Sequence, residues 1–286
     1  PGISSAASDV YKRQILIVSY DDKTIETVDR ICEILSKNNI QHLIKDDRES
    51  AKNFAPDLVL VVGGDGSMLS AAKEFADNDI HFLGINLGKV GFMADLESDN
   101  LESKLVRVLN GENRIEEKEI LNCSYNDNEY SAFNELVLHT EKSYKLLEFE
   151  VEVDDVFVYR KRADGLIIST SNGSTAYSLS AGGPILYPEL NAFVITSLNP
   201  LSLSARPLIV SSNSEVRVTL SKQESQLKSL LIFDGNQEVS IQNGNNEFVV
   251  KKSEKKFRLV HPQDHDFFNV CRNKLSWSLS LSLIHI

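Results

Sequence analysis

From residue 15 to about residue 111 the chain alternates short apolar runs with stretches whose apolar positions recur every three or four residues. Residues 15–20 read as a strand, and Ile25, Val28, Ile31, Ile34 and Leu35 then fall at helical spacing. Leu58, Val59, Leu60, Val61 and Val62 form an unbroken apolar run, as a buried strand does. Ala71, Ala72 and Phe75 continue a helix, residues 82–85 read as another strand, and Leu101, Leu105, Val108 and Leu109 line a further helix. Alternation of this kind predicts a parallel sheet with helices on its faces.

The pattern changes after Asn110-Gly111-Glu112-Asn113. Runs at 133–138, 147–153, 156–159, 166–169, 193–196, 216–220, 230–233 and 248–249 are short, rich in β-branched and aromatic residues, and separated by polar turns. Two domains are therefore expected: an α/β domain over 15–112, and a β-rich domain over 113–257. A helical stretch around 267–277, with Phe268, Cys271 and Leu275, is expected to bring 258–277 back to the first domain. Residues 5–14 and 281–286 resemble translated sequencing-adapter sequence, so 1–14 and 281–286 are read as non-native tails.

Composition narrows the partners. Among 286 residues, 30 Lys+Arg face 41 Asp+Glu, a formal charge of −11, which disfavours nucleic acid and anionic membrane because both need a basic footprint. Cys32, Cys123 and Cys271 are odd in number and far apart, which offers no disulfide framework and fits a reducing compartment, the cytoplasm. No apolar run approaches the ~18–20 residues of a membrane helix.

The candidate chemistry starts where the 58–62 strand runs into Gly63-Gly64-Asp65-Gly66-Ser67. Three glycines let a ligand approach the backbone, and the following helix offers free N–H groups to an anion. The turn is neither a Walker A loop, lacking Gly-Lys-Ser/Thr, nor the dinucleotide fingerprint, whose third glycine would stand at Leu69. A carboxylate beside a phosphate site repels its ligand unless it holds a metal or accepts a proton, which singles out Asp65. A second cluster, from Gly84-Ile85-Asn86 through Gly88-Lys89-Val90 to Gly91-Phe92, also follows a strand, and two such turns point to one crevice at the sheet's carboxyl edge.

In the β-rich half, Asn134 and Glu135 are adjacent, so both reach one ligand only from a strand end or a bulge. Between Arg162 and Pro184 an apolar strand gives way to a run of small hydroxyl residues and glycines, with no bulky side chain until Tyr177. Such a run lets a ligand lie against backbone and supplies donors. His261 and His265 are four apart with Cys271 nearby, but Pro262 breaks any helix joining them, so no metal site is read there.

Together, Gly63-Gly64-Asp65-Gly66, Gly84-Ile85-Asn86, Gly91-Phe92, Asn134-Glu135, the 164–184 stretch and Ser204-Ala205-Arg206-Pro207-Leu208 closely resemble the NAD kinase family over 15–277. The first motif is shared with lipid kinases and phosphofructokinases; the run ending Gly173-Ser174-Thr175-Ala176-Tyr177-Ser178 is far more specific. The resemblance implies a Rossmann-like α/β domain carrying the Gly-Gly-Asp-Gly turn and an antiparallel β-sandwich domain, the NAD kinase/diacylglycerol kinase-like fold. It implies transfer of the γ-phosphoryl of ATP to the 2′-hydroxyl of the adenosine ribose of NAD, with Mg²⁺ carried on the nucleotide and a homodimer or homotetramer as the assembly.

The same resemblance makes Asp65 the proton acceptor, with Gly63, Gly64 and Gly66 at the nucleotide. It makes Asn134, Glu135, Lys145, Arg162, Asp164, Thr175, Ala176, Tyr177, Ser178, Leu179 and Ser180 the NAD-binding surface. Where many members carry Asp-x-Gln, this chain reads Asp234-Gly235-Asn236-Gln237, so Asn236 or Gln237 takes that contact; Pro200-Leu201 stands where Pro-His is usual. Two other classes share some of these features: a lipid-type kinase with the same turn, and a dinucleotide-binding regulatory module without catalysis.

Overall fold

The computed structural model describes residues 14–45, 56–75, 80–88, 91–97, 100–141, 145–221, 228–241 and 244–277. The expected tails, apart from Gln14, and Lys89-Val90 of the second glycine cluster lie outside the described residues. The chain divides into two units, residues 1–117 with 257–286 and residues 118–256.

In the first unit β1 (Ile15–Ser19), β2 (His42–Ile44), β3 (Leu58–Val62), β4 (His81–Asn86) and β5 (Ala94–Glu97) pair in parallel. β3 is buried along its whole length between β1 and β4, which is why its five residues are all aliphatic. Helix α1 (Ile25–Lys37) buries Val28, Ile31, Ile34 and Leu35, and α3 (Leu101–Leu109) buries Leu101, Leu105, Val108 and Leu109, all in one core with Ile15, Ile17, Leu58, Leu60 and Val62. Each such side chain removed from water contributes roughly 1.5–3 kcal/mol, enough to override the modest helix propensity of Val and Ile. Helix α2 (Asp65–Phe75) starts three residues after β3 ends. It buries Met68, Leu69, Ala71 and Ala72, the spacing that leaves its first turn at the strand end. The short α5 (Phe267–Lys274), capped by the Asp266 carboxylate accepting from the Phe268 N–H at 2.9 Å, is in the same unit.

The second unit is antiparallel. β8 (Glu135–Thr140), β11 (Gly165–Thr170), β12 (Ala192–Leu198), β13 (Leu208–Ser211), β15 (Ser229–Phe233) and β16 (Gln237–Ser240) form a six-stranded sheet in the order β13-β12-β11-β8-β15-β16. β9 (Leu147–Val153), β10 (Val156–Ala163), β14 (Val216–Leu220) and residues 247–250 pair in a second sheet. Leu136, Leu138, Leu166, Ile168 and Phe233 from one sheet share a core with Phe149, Val151, Val216, Val218 and Phe248 from the other. Sheet packed on sheet accounts for the alternating burial of β9, β14 and β15.

Two long strands run longer than their apolar pattern suggests. β6 (Asn113–Tyr125), which pairs antiparallel with β7 (Asn128–Ala132), contains Glu116-Glu117-Lys118-Glu119, and β17 (Glu247–Pro262) contains Lys251-Lys252-Ser253-Glu254-Lys255-Lys256. Exposure on both sides removes the period-2 signal from 251–256, although the backbone there stays extended as part of β17. Residues 258 and 259 of β17 pair in parallel with His81 and Phe82 of β4. All three cysteines are free. Among the described residues no helix is long and apolar enough to cross a membrane.

Candidate active site

In the first unit the site is built around Asp65, the first residue of α2. Gly63, Gly64 and Gly66 surround it: the Gly63 N–H donates to the Ile85 carbonyl at 2.8 Å and ties the turn to β4, while Gly64 and Gly66 are exposed. As at any helix start, the first N–H groups of α2 lack intrahelical acceptors and face outward along the helix dipole, an arrangement suited to phosphate.

The Asp65 carboxylate is held from three directions. Its Oδ1 accepts from the Met93 N–H at 2.9 Å, and its Oδ2 accepts from the Phe92 N–H at 3.1 Å and from Lys274 Nζ at 3.0 Å. The carboxylate nonetheless stays 30% exposed. Gly91 makes this approach feasible, since a Cβ there would lie 2.1 Å from Asp65 Oδ1. The second glycine cluster thus supplies the seat for the acid of the first. Lys274, from the last turn of α5, also lies 5.2 Å from the Phe92 ring centre.

In the second unit the site gathers where β8 begins. Glu135 is the first residue of β8 and Asn134 immediately precedes it, the strand end from which two adjacent residues can reach one ligand. The Asp234 carboxylate, in the β15–β16 turn, accepts from the backbone N–H groups of Phe133 at 3.1 Å, Asn134 at 2.7 Å and Glu135 at 3.3 Å. Asp234 and Gly235 both have positive φ, the backbone of a tight hairpin turn, which turns this carboxylate back onto the start of β8. Asn134 Oδ1 accepts from Asn172 Nδ2 at 2.7 Å, and its carbonyl accepts from the Thr170 N–H at 2.9 Å. A Cβ on Gly173 would lie 2.1 Å from that carbonyl, so the small-residue run is packed directly against the pair.

Glu135 is 6% exposed, its Oε2 has no hydrogen-bond partner, and the Tyr177 backbone N–H donates to the carboxylate. Burial, with Asp234 adding like charge, pushes its pKa up to about 7 from an ordinary 4.5. The hydroxyl-rich run folds as a 3-10 turn over Asn172–Thr175 followed by the one-turn helix α4 (Tyr177–Ser180). Thr175, Ala176 and Leu179 are partly exposed, Tyr177 and Ser180 are exposed, and Ser178 is buried with its Oγ unpartnered. Asp164 Oδ2 accepts from Asn199 Nδ2 at 2.8 Å. Arg162, on β10, and Lys145, just ahead of β9, are exposed. Asn236 and Gln237 are exposed at the β15–β16 turn, and the turn's grip on the Asn134-Glu135 pair comes from Asp234.

Family models for the ATP-NAD kinase N-terminal domain and the ATP-NAD kinase C-terminal domain match residues 36–113 and 133–262. An NAD kinase of Teredinibacter turnerae is 44% identical over 229 residues, covering 78% of each chain. The chain belongs to the NAD kinase family. It is a phosphotransferase by that membership. An NAD kinase of Saccharophagus degradans is 38% identical over 277 residues, 90% of this chain and 93% of the relative. Among solved structures, an NAD kinase from Archaeoglobus fulgidus in complex with ATP superposes with a TM-score of 0.75 at 26% identity, covering 92% of this chain and 97% of that one. A yeast NADH kinase complexed with NADH superposes with a TM-score of 0.80 at 23% identity, over 96% and 90% of the two chains, a likeness of fold.

Lys274 and the Met93 amide around Asp65 were not singled out by the sequence, whereas Phe92 in the first unit and Thr170, Asn172 and Asp234 in the second stood inside the quoted motifs without an assigned holding role. Asp234 carried a local signal for its turn, since an Asp-Gly pair between two apolar runs marks a hairpin. Lys274 is 209 positions from Asp65, and no local pattern announces such a contact.

Proposed function

We infer that the protein transfers the γ-phosphoryl group of ATP to the 2′-hydroxyl of the adenosine ribose of NAD, making NADP, with Asp65 as the proton acceptor. The observation that carries the assignment of Asp65 is its carboxylate, fixed by two backbone N–H groups and one ammonium yet 30% exposed beside a glycine-lined helix start. An ionised carboxylate offers about four acceptor sites, and three donors leave one for a substrate hydroxyl.

Phosphoryl transfer passes through a loose transition state, so the protein's work is alignment and charge stabilisation. The ribose oxygen forms a bond to the γ-phosphorus, the bond from that phosphorus to the β–γ bridging oxygen breaks, and ADP leaves. A ribose hydroxyl is a weak acid, so Asp65 first orients it and takes its proton late. The amides at the start of α2 stabilise charge on the nucleotide phosphates. Asn134, Glu135 and the Asn172–Ser180 run hold the ribose and adenine groups of NAD, with Lys145, Arg162, Asp164 and Asn236 at the edges of that surface.

A divalent cation neutralises charge on the transferring phosphates when bound. Mg²⁺ asks for a near-octahedral set of oxygens, whereas the turn offers one carboxylate already engaged at both oxygens, so the donor set suits a cation carried by the nucleotide and not a protein-built cage. Three free thiols fit a cytoplasmic protein, and the family resemblance supports a homodimer or homotetramer.

The test is NADP formation from NAD, ATP and Mg²⁺, read through an NADP-specific dehydrogenase, with Asp65→Asn alongside. Loss of a general base costs about 10²–10⁴-fold, or roughly 3–5 kcal/mol, so the variant is expected to lose at least that much turnover while still binding NAD. A near-normal rate in the variant would remove Asp65 from the role. Folded protein that binds NAD but makes no NADP would point to a binding module.

A further inference from the structure

A second cluster of titratable groups lies in the first unit. His261 is near the end of β17, His265 lies in the turn before α5, and both reach Asp95 of β5. His261 Nδ1 contacts Asp95 Oδ2, His265 Nδ1 is 3.1 Å from the same oxygen, and the ring centres are 4.2 Å apart. On its other side, His261 Nε2 is 2.7 Å from Glu116 Oε2. The side chains of His261, Asp95 and His265 are 1%, 5% and 6% exposed.

Two features distinguish this cluster from an ordinary buried ion pair. Asp95 Oδ1 is buried with no hydrogen-bond partner, although Oδ2 faces two ring nitrogens. In addition, Glu116 Oε2 and Asp95 Oδ2 flank the two ring nitrogens of His261, and in the neutral tautomer whose Nε2–H donates to Glu116 the Nδ1 lone pair faces the Asp95 carboxylate. Lone pairs on nitrogen and oxygen then converge on one point, and a cation there relieves their repulsion while giving Oδ1 a partner.

We propose that Asp95, His261 and His265 form a site for a divalent transition-metal ion, with zinc the expected occupant and Glu116 the outer partner that orients His261. Two imidazoles and a carboxylate are a zinc donor set, and a histidine that ligates through one nitrogen while donating from the other to a carboxylate is its usual support. The three ligand atoms lie within 4.8 Å of one another. Bonds of about 2.0–2.2 Å separate tetrahedral donors by roughly 3.4 Å, so small side-chain shifts close the set, and Asp95 Oδ1 supplies the fourth contact. The spacing of the two histidines alone argued against a metal because Pro262 precludes a shared helix face. The third donor comes instead from β5, 166 positions before His261, and Cys271 is not in the cluster. Bound metal would tie β5, the end of β17 and the approach to α5 together within one unit.

The experiment uses the full chain, stripped with a chelator and titrated with Zn²⁺ in competition with a chromophoric chelator. One tight equivalent is expected, weakened about 100-fold or more by His265→Gln and about 10–100-fold by Glu116→Gln, each variant first checked for fold by circular dichroism. Zinc should also raise the Tm of the unaltered chain and leave that of His265→Gln in place. With Co²⁺ in place of Zn²⁺, visible ligand-field bands are expected without the near-ultraviolet thiolate band that Cys271 would add. Absence of tight zinc binding by the folded chain, equal binding by His265→Gln, or a thiolate band would each overturn the proposal. None of these outcomes depends on Asp65 or on kinase activity.

Discussion

Asp65 at the start of a helix and Glu135 at the start of a strand are both carboxylates beside small-residue backbone, yet their surroundings are opposite. Asp65 meets donors, namely two amides and the Lys274 ammonium, and keeps 30% of its side chain open. Glu135 is buried and faces another acid, Asp234, which pushes it up to about 7. The first environment suits a group that must receive a proton during turnover. The second suits one that still carries a proton near neutrality and can donate it in a hydrogen bond to ligand. Residue type therefore says less about role than the sign of what surrounds it.

The largest effect should come from displacing the Asp65 carboxylate while leaving it chemically intact. Gly91→Ala places a methyl group where Oδ1 now lies, 2.1 Å away, so the carboxylate must leave the Met93 amide. A shift of about 1 Å in a reacting group costs on the order of 10²-fold, and Gly91→Ala should lose at least that in kcat while NAD affinity measured by equilibrium dialysis is unchanged. Wild-type turnover in a folded Gly91→Ala protein would mean that the seat on the Phe92 and Met93 amides is not what aligns Asp65.

The next effect is on stability and belongs to Glu135. Between its ordinary 4.5 and about 7 the folded chain holds a proton that the unfolded chain has released, so this group lowers stability as pH rises through that window. Below the window it costs nothing; above it the full cost of a buried charge is present. Glu135→Gln keeps the shape and removes the charge, so urea unfolding should show equal stability at pH 4 and a gain of up to about 3 kcal/mol at pH 8. The same gain at both pH values would mean that packing, not charge, separates the two side chains.

The contrast also shows what the sequence made legible. The parallel sheet, the helix faces and most antiparallel strands followed from apolar periodicity, because burial against one core imposes it. The long β17 was recognised only at 248–249, since residues such as 251–256 are polar on both faces, and the long β6 was not recognised. Gly63, Gly64, Asp65 and Gly66 stood out in the sequence because four neighbours share one local turn. Asn134 and Glu135 were identified by resemblance, but their holder Asp234 acts from about 100 positions away. The histidine cluster was set aside on local spacing, and its third member lies on another strand. Local chemistry is written locally; the donors and acids that tune it arrive through tertiary packing.

The smallest effect is expected from Lys274, and it separates positioning from phosphate binding. Its ammonium is 3.0 Å from Asp65 Oδ2, with the two side chains 29% and 30% exposed, and a pair that open to solvent contributes about 0.2–1 kcal/mol to stability. Lys274→Met leaves the Phe92 and Met93 amides holding the carboxylate, so kcat should fall only severalfold, with KM for NAD and ATP unchanged and Lys274→Arg restoring most of the rate. Salt screens an exposed pair, and the gap between the chains should narrow as ionic strength rises. A loss matching that of Asp65→Asn, or a large rise in KM for ATP, would instead make Lys274 a cation for the phosphates, and the donors around Asp65 would then belong to the nucleotide as much as to the acid.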